Sequence, residues 1–254
     1  MTATIFPLAE TPATPAGAYF AAPGPASRRV VDATTRMLHW LMALSFAGAY
    51  VTADGERWRL VHVTLGYTLT GLLICRVLWG LFGPRQVRLS VMARKLKGFA
   101  PWLKSLGSVN SLHSLQPAWR QGQNLLMASA GALMLGMVLP LALSGYAVWA
   151  EWGGEWLEEA HELFGNAMLA LVLAHIGLIV FLSFLRRKNQ ALPMLTGRAA
   201  GSGPDVAKRN HGVLALLLLT CVVGFWGWQW IDAPQNEAVQ GTATIDNRRN
   251  HDSD

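Results

Sequence analysis

Five long apolar stretches restrict the fold of this 254-residue chain more than any other feature. They cover residues 37–53, 61–82, 125–149, 160–185 and 212–231, and the first can be extended back to residue 30. A helix needs roughly 20 apolar residues to cross the hydrocarbon core of a bilayer. Only 14% of the residues are charged, whereas soluble domains carry about 25%. We therefore expect an all-α membrane protein with five transmembrane helices, because lipid cannot satisfy open backbone groups.

The charged residues between these stretches predict the orientation. Segment 83–124 has seven basic residues and no acidic one, and segment 186–211 has six basic residues against Asp205 alone. The loop 151–159 contains four Glu and no basic residue. By the positive-inside rule, the N-terminus and both basic segments face the cytoplasm, and the acidic loop and the C-terminus lie outside. The net charge of +6 is then a topology signal, so no nucleic-acid partner is expected.

Four histidines lie in or at the ends of the apolar stretches, where a polar ring is costly and usually faces the bundle interior. The predicted topology places His39 near the cytoplasmic side and His62 near the outer side. His161 also lies near the outer side, and His175 follows it by fourteen residues, which is about 21 Å along the same helix face. We therefore predict two pairs, His62 with His161 toward the outside and His39 with His175 toward the cytoplasm.

Two histidines at each level point to haem rather than to zinc. Zinc usually takes four protein ligands, or three and a water, whereas haem iron needs two axial ligands on opposite sides of its ring. Gly66 and Gly165 each follow an outer histidine by four residues and leave room for a flat macrocycle. We therefore predict two haem groups, and because the sequence has no C-x-x-C-H motif they are b-type.

Two arginines are predicted to contact the cofactors. Arg36 precedes His39 by three residues on the same helix face, and Arg76 follows His62 by fourteen, at the inner level. A guanidinium within a span needs an anionic partner. The sequence suggests no acidic residue at the level of Arg76, so we predict a haem propionate as the partner of each arginine. Snorkelling to the headgroups is the alternative for both, and quinone contact is a second alternative for Arg76.

An ordered series of short motifs runs through residues 29–200. They read RMLHW at 36–40, HVTLGY at 62–67, RVLWGLFGP at 76–84, EAHE at 159–162, LAH at 173–175 and LTGR at 195–198. In these motifs the chain resembles the prokaryotic cytochrome b561 family, which includes the b-type subunits of membrane nickel–iron hydrogenases. One departure is GQNL at 122–125, where family members often read GHNP.

The resemblance implies a four-helix transmembrane bundle, residues 28–200, that holds two b haems in the bacterial inner membrane. It implies that His39, His62, His161 and His175 are the axial ligands. It also implies electron transfer between membrane quinone and an outer-side redox protein, such as a c-type cytochrome or a hydrogenase small subunit. The acidic loop suits a basic partner.

Three further segments complete the expected organisation. Residues 1–27 are predicted to be a disordered cytoplasmic tail, 201–231 a linker and fifth transmembrane helix, and 232–254 a flexible outer tail. The fifth helix is expected to dock a partner, contact a second protomer in a homo-oligomer, or serve as an anchor in the lipid. The alternative functions are a superoxide-to-quinone oxidase, and a non-redox membrane anchor or metal transporter that uses the same histidines.

Overall fold

The protein is mainly helical. The computed structural model describes residues 26–107 and 112–251, so the predicted tail 1–27 lies almost entirely outside the described residues. The elements are β1 (Ser27–Arg29), α1 (Ala33–Val51), α2 (Arg59–Phe82), α3 (Leu89–Lys97), α4 (Phe99–Gly107), α5 (Leu112–Trp149), α6 (Glu155–Arg186), α7 (Leu192–Thr196), β2 (Arg198–Ala200) and α8 (Gly212–His251). Helices α1, α2, α5, α6 and α8 correspond in order to the five apolar stretches. Helix α8 continues beyond residue 232 into the predicted outer tail.

Four helices are long and apolar enough to cross a membrane. They are α2, the part of α5 from Gln121 to Trp149, α6, and the part of α8 from Gly212 to Asp232. Helix α1 has 19 residues, and Arg36 and His39 lower its mean hydropathy. Its apolar side chains are nevertheless buried, among them Leu38, Leu41 and Phe46. Helix α1 is therefore a packed member of the bundle with a less apolar sequence than the four others.

The connections divide the bundle into two ends. Residues 52–58 join α1 to α2 and residues 150–154 join α5 to α6, and both loops lie at what we call the hairpin end. The opposite end, called the basic end, carries α3, α4, α7 and a small sheet in which β1 pairs antiparallel with β2. Loop 201–210 is hydrogen-bonded to β1, because the Arg29 backbone N–H donates to Asp205 Oδ1 at 2.6 Å.

Two apolar clusters hold the long helices together. One contains Phe46, Leu69, Val138, Leu141 and Met168, so it joins α1, α2, α5 and α6 at mid-depth. The other contains Leu38, Leu41, Leu72 and Val222. This second cluster attaches α8 to α1 and α2. The fifth predicted helix is therefore packed against the bundle.

Helix α6 is closely packed on one side only. Its backbone follows that of α5 closely, as α1 follows α2, whereas its backbone hardly approaches α1 or α2 among the described residues. The backbone of α6 is therefore set apart from the α1–α2 pair, and the mid-depth cluster connects them through Met168, Phe46 and Leu69. All four predicted histidines belong to these three helices.

Candidate functional site

His62 and His161 form a pair near the hairpin end. Their ring centres are 6.1 Å apart and the ring planes are nearly perpendicular, at 86°. Two metal–nitrogen bonds of about 2 Å each, together with about 1 Å from each nitrogen to its ring centre, add up to about 6 Å. The observed separation therefore fits two imidazoles that bind one metal ion between them.

Hydrogen bonds fix which nitrogen of each ring is available. His62 Nδ1 lies 2.8 Å from the Ala49 carbonyl oxygen, which can only accept, so Nδ1–H is the donor. His161 Nδ1 lies 3.0 Å from Ser144 Oγ. The Ser144 hydroxyl donates to the Leu141 carbonyl at 3.1 Å, so its oxygen accepts from His161 Nδ1–H. Both rings therefore keep the Nε2 lone pair free for a metal, with Nδ1 orienting the ring as metal-binding histidines require.

Glycines shape the space around this pair. A Cβ at Gly145 would lie 2.8 Å from Cε1 of His161, so α5 approaches the ring at a point that only glycine permits. A Cβ at Gly66 or Gly165 would have no atom within 4 Å. No other atom of the described residues therefore occupies the place that a side chain would take at either glycine.

His39 and His175 come together nearer the basic end. The two imidazoles lie within electrostatic range of each other, and His39 packs edge-to-face on Trp40 at 5.4 Å. His175 Nδ1 is buried and has no hydrogen-bond partner. A buried polar nitrogen without a partner is destabilising, so the His175 ring has an unsatisfied nitrogen in the bundle.

The two pairs belong to layers that recur every seven residues. Seven residues correspond to about 10.5 Å along a helix and to nearly the same helix face. On α2, α5 and α6, residues spaced by seven lie on one face at three successive depths, which we call the hairpin-end, mid-depth and basic-end layers. In that order the residues are His62, Leu69 and Arg76 on α2; His161, Met168 and His175 on α6; and Gly145, Val138 and Gly131 on α5. The apolar mid-depth cluster therefore separates the two histidine pairs.

Arg76 lies in the basic-end layer, as expected from its spacing. Its Nη1 donates to the Val87 carbonyl at 3.5 Å. The expectation that no acidic residue lies at its level is wrong, because Asp32 is close enough to interact with it electrostatically. Asp32 is fully buried and caps α1 by accepting from the Thr35 backbone N–H at 2.8 Å. The chain itself therefore supplies a carboxylate near Arg76.

Arg36 is bound to the last turn of α7. Its Nη1 donates to the Leu195 carbonyl at 2.8 Å, while its Nε is buried without a partner. Gly197 makes this approach possible, because its φ is +79° and a Cβ there would lie 3.2 Å from Nε of Arg36. The motif at 195–198 thus packs against the first motif, and Nε of Arg36 has a free hydrogen for an anionic group.

Residues 122–125 read GQNL in place of GHNP, and the glutamine of this motif forms a contact between two helices. Gln123 is buried, and its Oε1 accepts from Nε of Arg186 at 2.7 Å. The adjacent Asn124 accepts from the same guanidinium at 3.4 Å. An amide at residue 123 therefore joins α5 to the basic end of α6.

Three contributors to the site were not predicted: Ser144, Gly145 and the Ala49 carbonyl. A signal for Gly145 exists in the sequence, because it follows Gly131 by the same fourteen residues that separate His161 from His175. No comparable signal marks a serine or a backbone carbonyl. Each histidine pair offers two ligands, and no group of three or more His, Cys, Asp or Glu able to hold a metal ion occurs within 26–107 and 112–251. Two imidazoles match the two axial ligand positions of haem iron.

The fold and site define a membrane-spanning helical bundle that is suited to hold a metal cofactor between its helices. The family model of prokaryotic cytochrome b561 matches residues 30–197, so the chain belongs to this family and the resemblance found in the sequence is confirmed. No curated protein and no solved structure matches the chain. Membership in this family implies a multi-pass membrane protein that binds b-type haem and transfers electrons.

Proposed function

We propose that the protein is a dihaem cytochrome b that transfers electrons across the membrane between quinone and an outer-side redox protein. The principal support is the His62–His161 pair, with its 6.1 Å separation and its two free Nε2 atoms. A second pair, His39 and His175, lies two seven-residue layers away. A bound b-type haem supplies a centre that accepts and releases one electron.

In this proposal the four histidines hold the two haems and neighbouring groups orient them. The Ala49 carbonyl and the Ser144 hydroxyl fix the rings of the hairpin-end pair. The apolar mid-depth cluster keeps water out of the space between the two sites. At the basic end, Arg36 and Arg76 supply positive charge for anionic haem substituents, with Asp32 as a competing partner of Arg76.

Charge supports an orientation with the basic end in the cytoplasm. The segments of that end carry the excess of Lys and Arg expected of cytoplasmic loops. The hairpin end would then face the periplasm, with the His62–His161 pair near that surface.

The hairpin-end surface favours a cationic redox partner. Loops 52–59 and 150–162 contain seven acidic residues and two basic ones, and Glu155, Glu158, Glu159 and Glu162 are all exposed. Trp152 and Trp156 project beside them and are 72% and 66% exposed. Such a surface attracts a basic protein such as a c-type cytochrome and repels an anion. It therefore argues against superoxide as the outer substrate.

A spectroscopic experiment tests the cofactor content. The purified protein should contain two haems per chain by pyridine haemochrome assay, and a redox titration of the b-type α band should show two one-electron steps. One haem per chain, or none, would contradict the dihaem proposal.

A kinetic experiment tests the partner. With the protein in liposomes, electron exchange with a basic c-type cytochrome should slow as salt is raised, because screening weakens steering between opposite charges. Replacement of Glu155, Glu158 and Glu159 by Gln should reduce both the rate and its salt dependence. An acidic cytochrome of similar potential serves as the control, and faster exchange with that control would exclude a cationic partner.

A further inference from the structure

Helices α3 and α4 lie at the basic end, at the depth where two membrane spans reach that end. Leu89, the first residue of α3, packs on α2, because a Cβ at Gly80 would lie 2.6 Å from its Cγ. Gly80 is close to the end of the α2 span. Gly98, which separates α3 from α4, packs near the start of the α5 span, because a Cβ there would lie 3.6 Å from Leu125 Cδ2. Both ends of α3 therefore lie close to one boundary of the membrane, and the helix runs along that boundary.

Trp102 attaches α4 to α5 at the same depth. Its side chain is buried, and a Cβ at Gly122 would overlap the indole ring, so α4 approaches α5 at a point that only glycine permits. Gly122 lies at the start of the α5 span. Tryptophan is enriched at membrane–water interfaces, which suits this position. Contacts with α2 and α5 therefore hold the α3–α4 pair in the plane of the lipid headgroups.

The side chains of α3 include an apolar stripe and a set of cations. The residues of the stripe follow one another at spacings of three and four and are half-buried; they are Leu89, Met92 and Leu96. Three side chains outside the stripe are exposed and basic, and we call them the α3 cations: Arg94, Lys95 and Lys97. An apolar stripe combined with several Lys and Arg residues is typical of helices that lie on anionic membrane surfaces.

The chain supplies few acidic groups at the basic end that could neutralise the α3 cations. Segment 83–124, to which they belong, contains no acidic residue. Of the acidic residues described at that end, Asp32 is fully buried, and Asp205 accepts a hydrogen bond from the Arg29 backbone at 2.6 Å. The α3 cations therefore favour an anion from outside the chain. At the surface of a membrane, basic side chains attract the headgroups of anionic phospholipids.

We propose that α3 binds the headgroups of anionic phospholipids through Arg94, Lys95 and Lys97. The packing of the apolar stripe and of Trp102 keeps α3 and α4 at headgroup depth, where the long basic side chains reach phosphate oxygens while their charged ends stay in water. Lipid is favoured over an acidic protein as the partner, because α3 already lies at the depth of the headgroups. This lipid site goes beyond the proposed electron transfer, since it involves no histidine and no cofactor.

Photocrosslinking of the full chain in phosphatidylcholine nanodiscs tests the preference for anionic headgroups. Two probes, each present at a low fraction, carry the same diazirine in one acyl chain and differ only in the headgroup, phosphatidylglycerol or phosphatidylcholine. At about 0.15 M salt the anionic probe should label residues 85–104 at least about fivefold more, which is the contribution of one basic residue near anionic headgroups. The ratio should approach one at about 1 M salt, where the Debye length is about 3 Å. Equal labelling at the lower salt would overturn the proposal and favour an acidic protein as the partner.

Variants of α3 test whether its charge is responsible for the preference. Arg94→Gln, Lys95→Gln and Lys97→Gln together should lower the labelling ratio of the two probes at least about threefold, because the attraction requires the charges. The charge-preserving combination of Arg94→Lys, Lys95→Arg and Lys97→Arg should keep the ratio within about twofold of wild type. Helix content by circular dichroism and elution as a single species show whether each variant has folded. A folded Gln variant with the wild-type ratio would contradict the proposal.

A matched control removes the same charge from the same end of the molecule outside α3. Lys188, Lys208 and Arg209 are exposed in the segments on either side of α7. Their combined replacement by Gln should leave the labelling ratio at residues 85–104 within about twofold of wild type, because screening at about 0.15 M salt limits the reach of each charge to about 8 Å. An equal loss in both Gln variants would assign the preference to the overall charge of the basic end and would overturn the assignment to α3.

Discussion

The two histidine pairs differ in how firmly the chain prepares them. At the hairpin end, both Nδ1 atoms are hydrogen-bonded and a glycine of α5 lies against the His161 ring. At the basic end, His175 Nδ1 is buried without a hydrogen-bond partner. The rings of the first pair are preoriented by protein atoms, whereas those of the second depend on what they bind. A site that is fixed in advance loses less conformational freedom on binding.

Charged groups within the bundle lie near the basic-end pair and not near the hairpin-end pair among the residues of the layers. Arg76 and the buried Asp32 lie close to the basic-end layer, while the position of the hairpin-end layer that corresponds to Arg76 is His62. We infer that hydrogen bonds tune the hairpin-end site and that fixed charges tune the basic-end site. Both factors influence the potential of a haem.

The largest expected effect is the loss of one entire haem. His62→Ala and His161→Ala should remove the same spectral component, because their ring centres lie 6.1 Å apart. His39→Ala and His175→Ala should each remove the other component. Difference spectra and haem-to-protein ratios on all four variants check this. If His39→Ala and His161→Ala removed the same component, the pairing would be wrong.

The next largest effect is expected at Gly145. Gly145→Val places a Cβ where His161 Cε1 is 2.8 Å away, so the ring must leave its orientation. Most of the hairpin-end haem should be lost while the basic-end haem stays. Gly136→Val is the matched control on α5, because a Cβ there meets no atom within 4 Å and the residue is exposed. Retention of both haems in Gly145→Val would show that the ring adapts.

A weaker effect is expected at Gly131, which repeats the position of Gly145 two layers deeper. A Cβ at Gly131 has no atom within 4 Å of it, so Gly131→Val fills open space instead of striking a ring. We expect a partial loss of the basic-end haem and a normal hairpin-end haem. Full occupancy of both haems by pyridine haemochrome assay would mean that the space beside Gly131 is not used.

These predictions also show how far the sequence alone leads. The fourteen-residue spacing of His161 and His175 and the loop charges predicted which histidines pair, because helix periodicity carries both depth and direction. The contact between Gly145 and His161 depends on how closely α5 and α6 approach, and neither residue type nor spacing determines that distance. Every residue has a backbone carbonyl group, so no sequence pattern could single out that of Ala49.

The contacts of Arg36 and Arg76 also depend on tertiary packing, which the sequence does not determine. Asp32 precedes α1 by one residue and was not placed beside Arg76, 44 positions later, since that proximity depends on how α1 packs against α2. The spacing predicts that Arg36 shares a helix face with His39, but its bond to Leu195 depends on the left-handed turn at Gly197. The sequence assigns the fifth helix no contact with the other four, and its attachment through Val222 to Leu38 and Leu72 follows from tertiary packing alone.

Arg76→Leu tests the role of fixed charge at the basic end. Loss of a positive charge disfavours the reduced iron, so the potential of the basic-end haem should fall. A unit charge about 10 Å away contributes about 1.7 kcal/mol at an effective dielectric constant of 20, which corresponds to roughly 70 mV for one electron. Separate redox titrations of the two components check this. A larger fall in the potential of the hairpin-end haem would mean that Arg76 lies closer to that haem than to the basic-end haem.

Ser144→Ala tests the role of hydrogen bonding at the hairpin end and has the smallest expected effect. The Ser144 oxygen accepts from His161 Nδ1–H at 3.0 Å, which increases electron donation from the ring and stabilises the oxidised iron. Without that acceptor the potential of the hairpin-end haem should rise. A hydrogen bond worth about 1 kcal/mol corresponds to roughly 40 mV.

The direction of this shift is the informative part of the experiment. Arg76→Leu should lower one potential and Ser144→Ala should raise the other, so the two variants together separate charge from hydrogen bonding. Ser183→Ala is a suitable control, because Ser183 also donates to a helical carbonyl, that of Ile179 at 2.7 Å, but contacts no histidine. It should leave both potentials unchanged. A fall in the hairpin-end potential of Ser144→Ala would contradict the assignment of His161 Nδ1–H as the donor to the Ser144 oxygen.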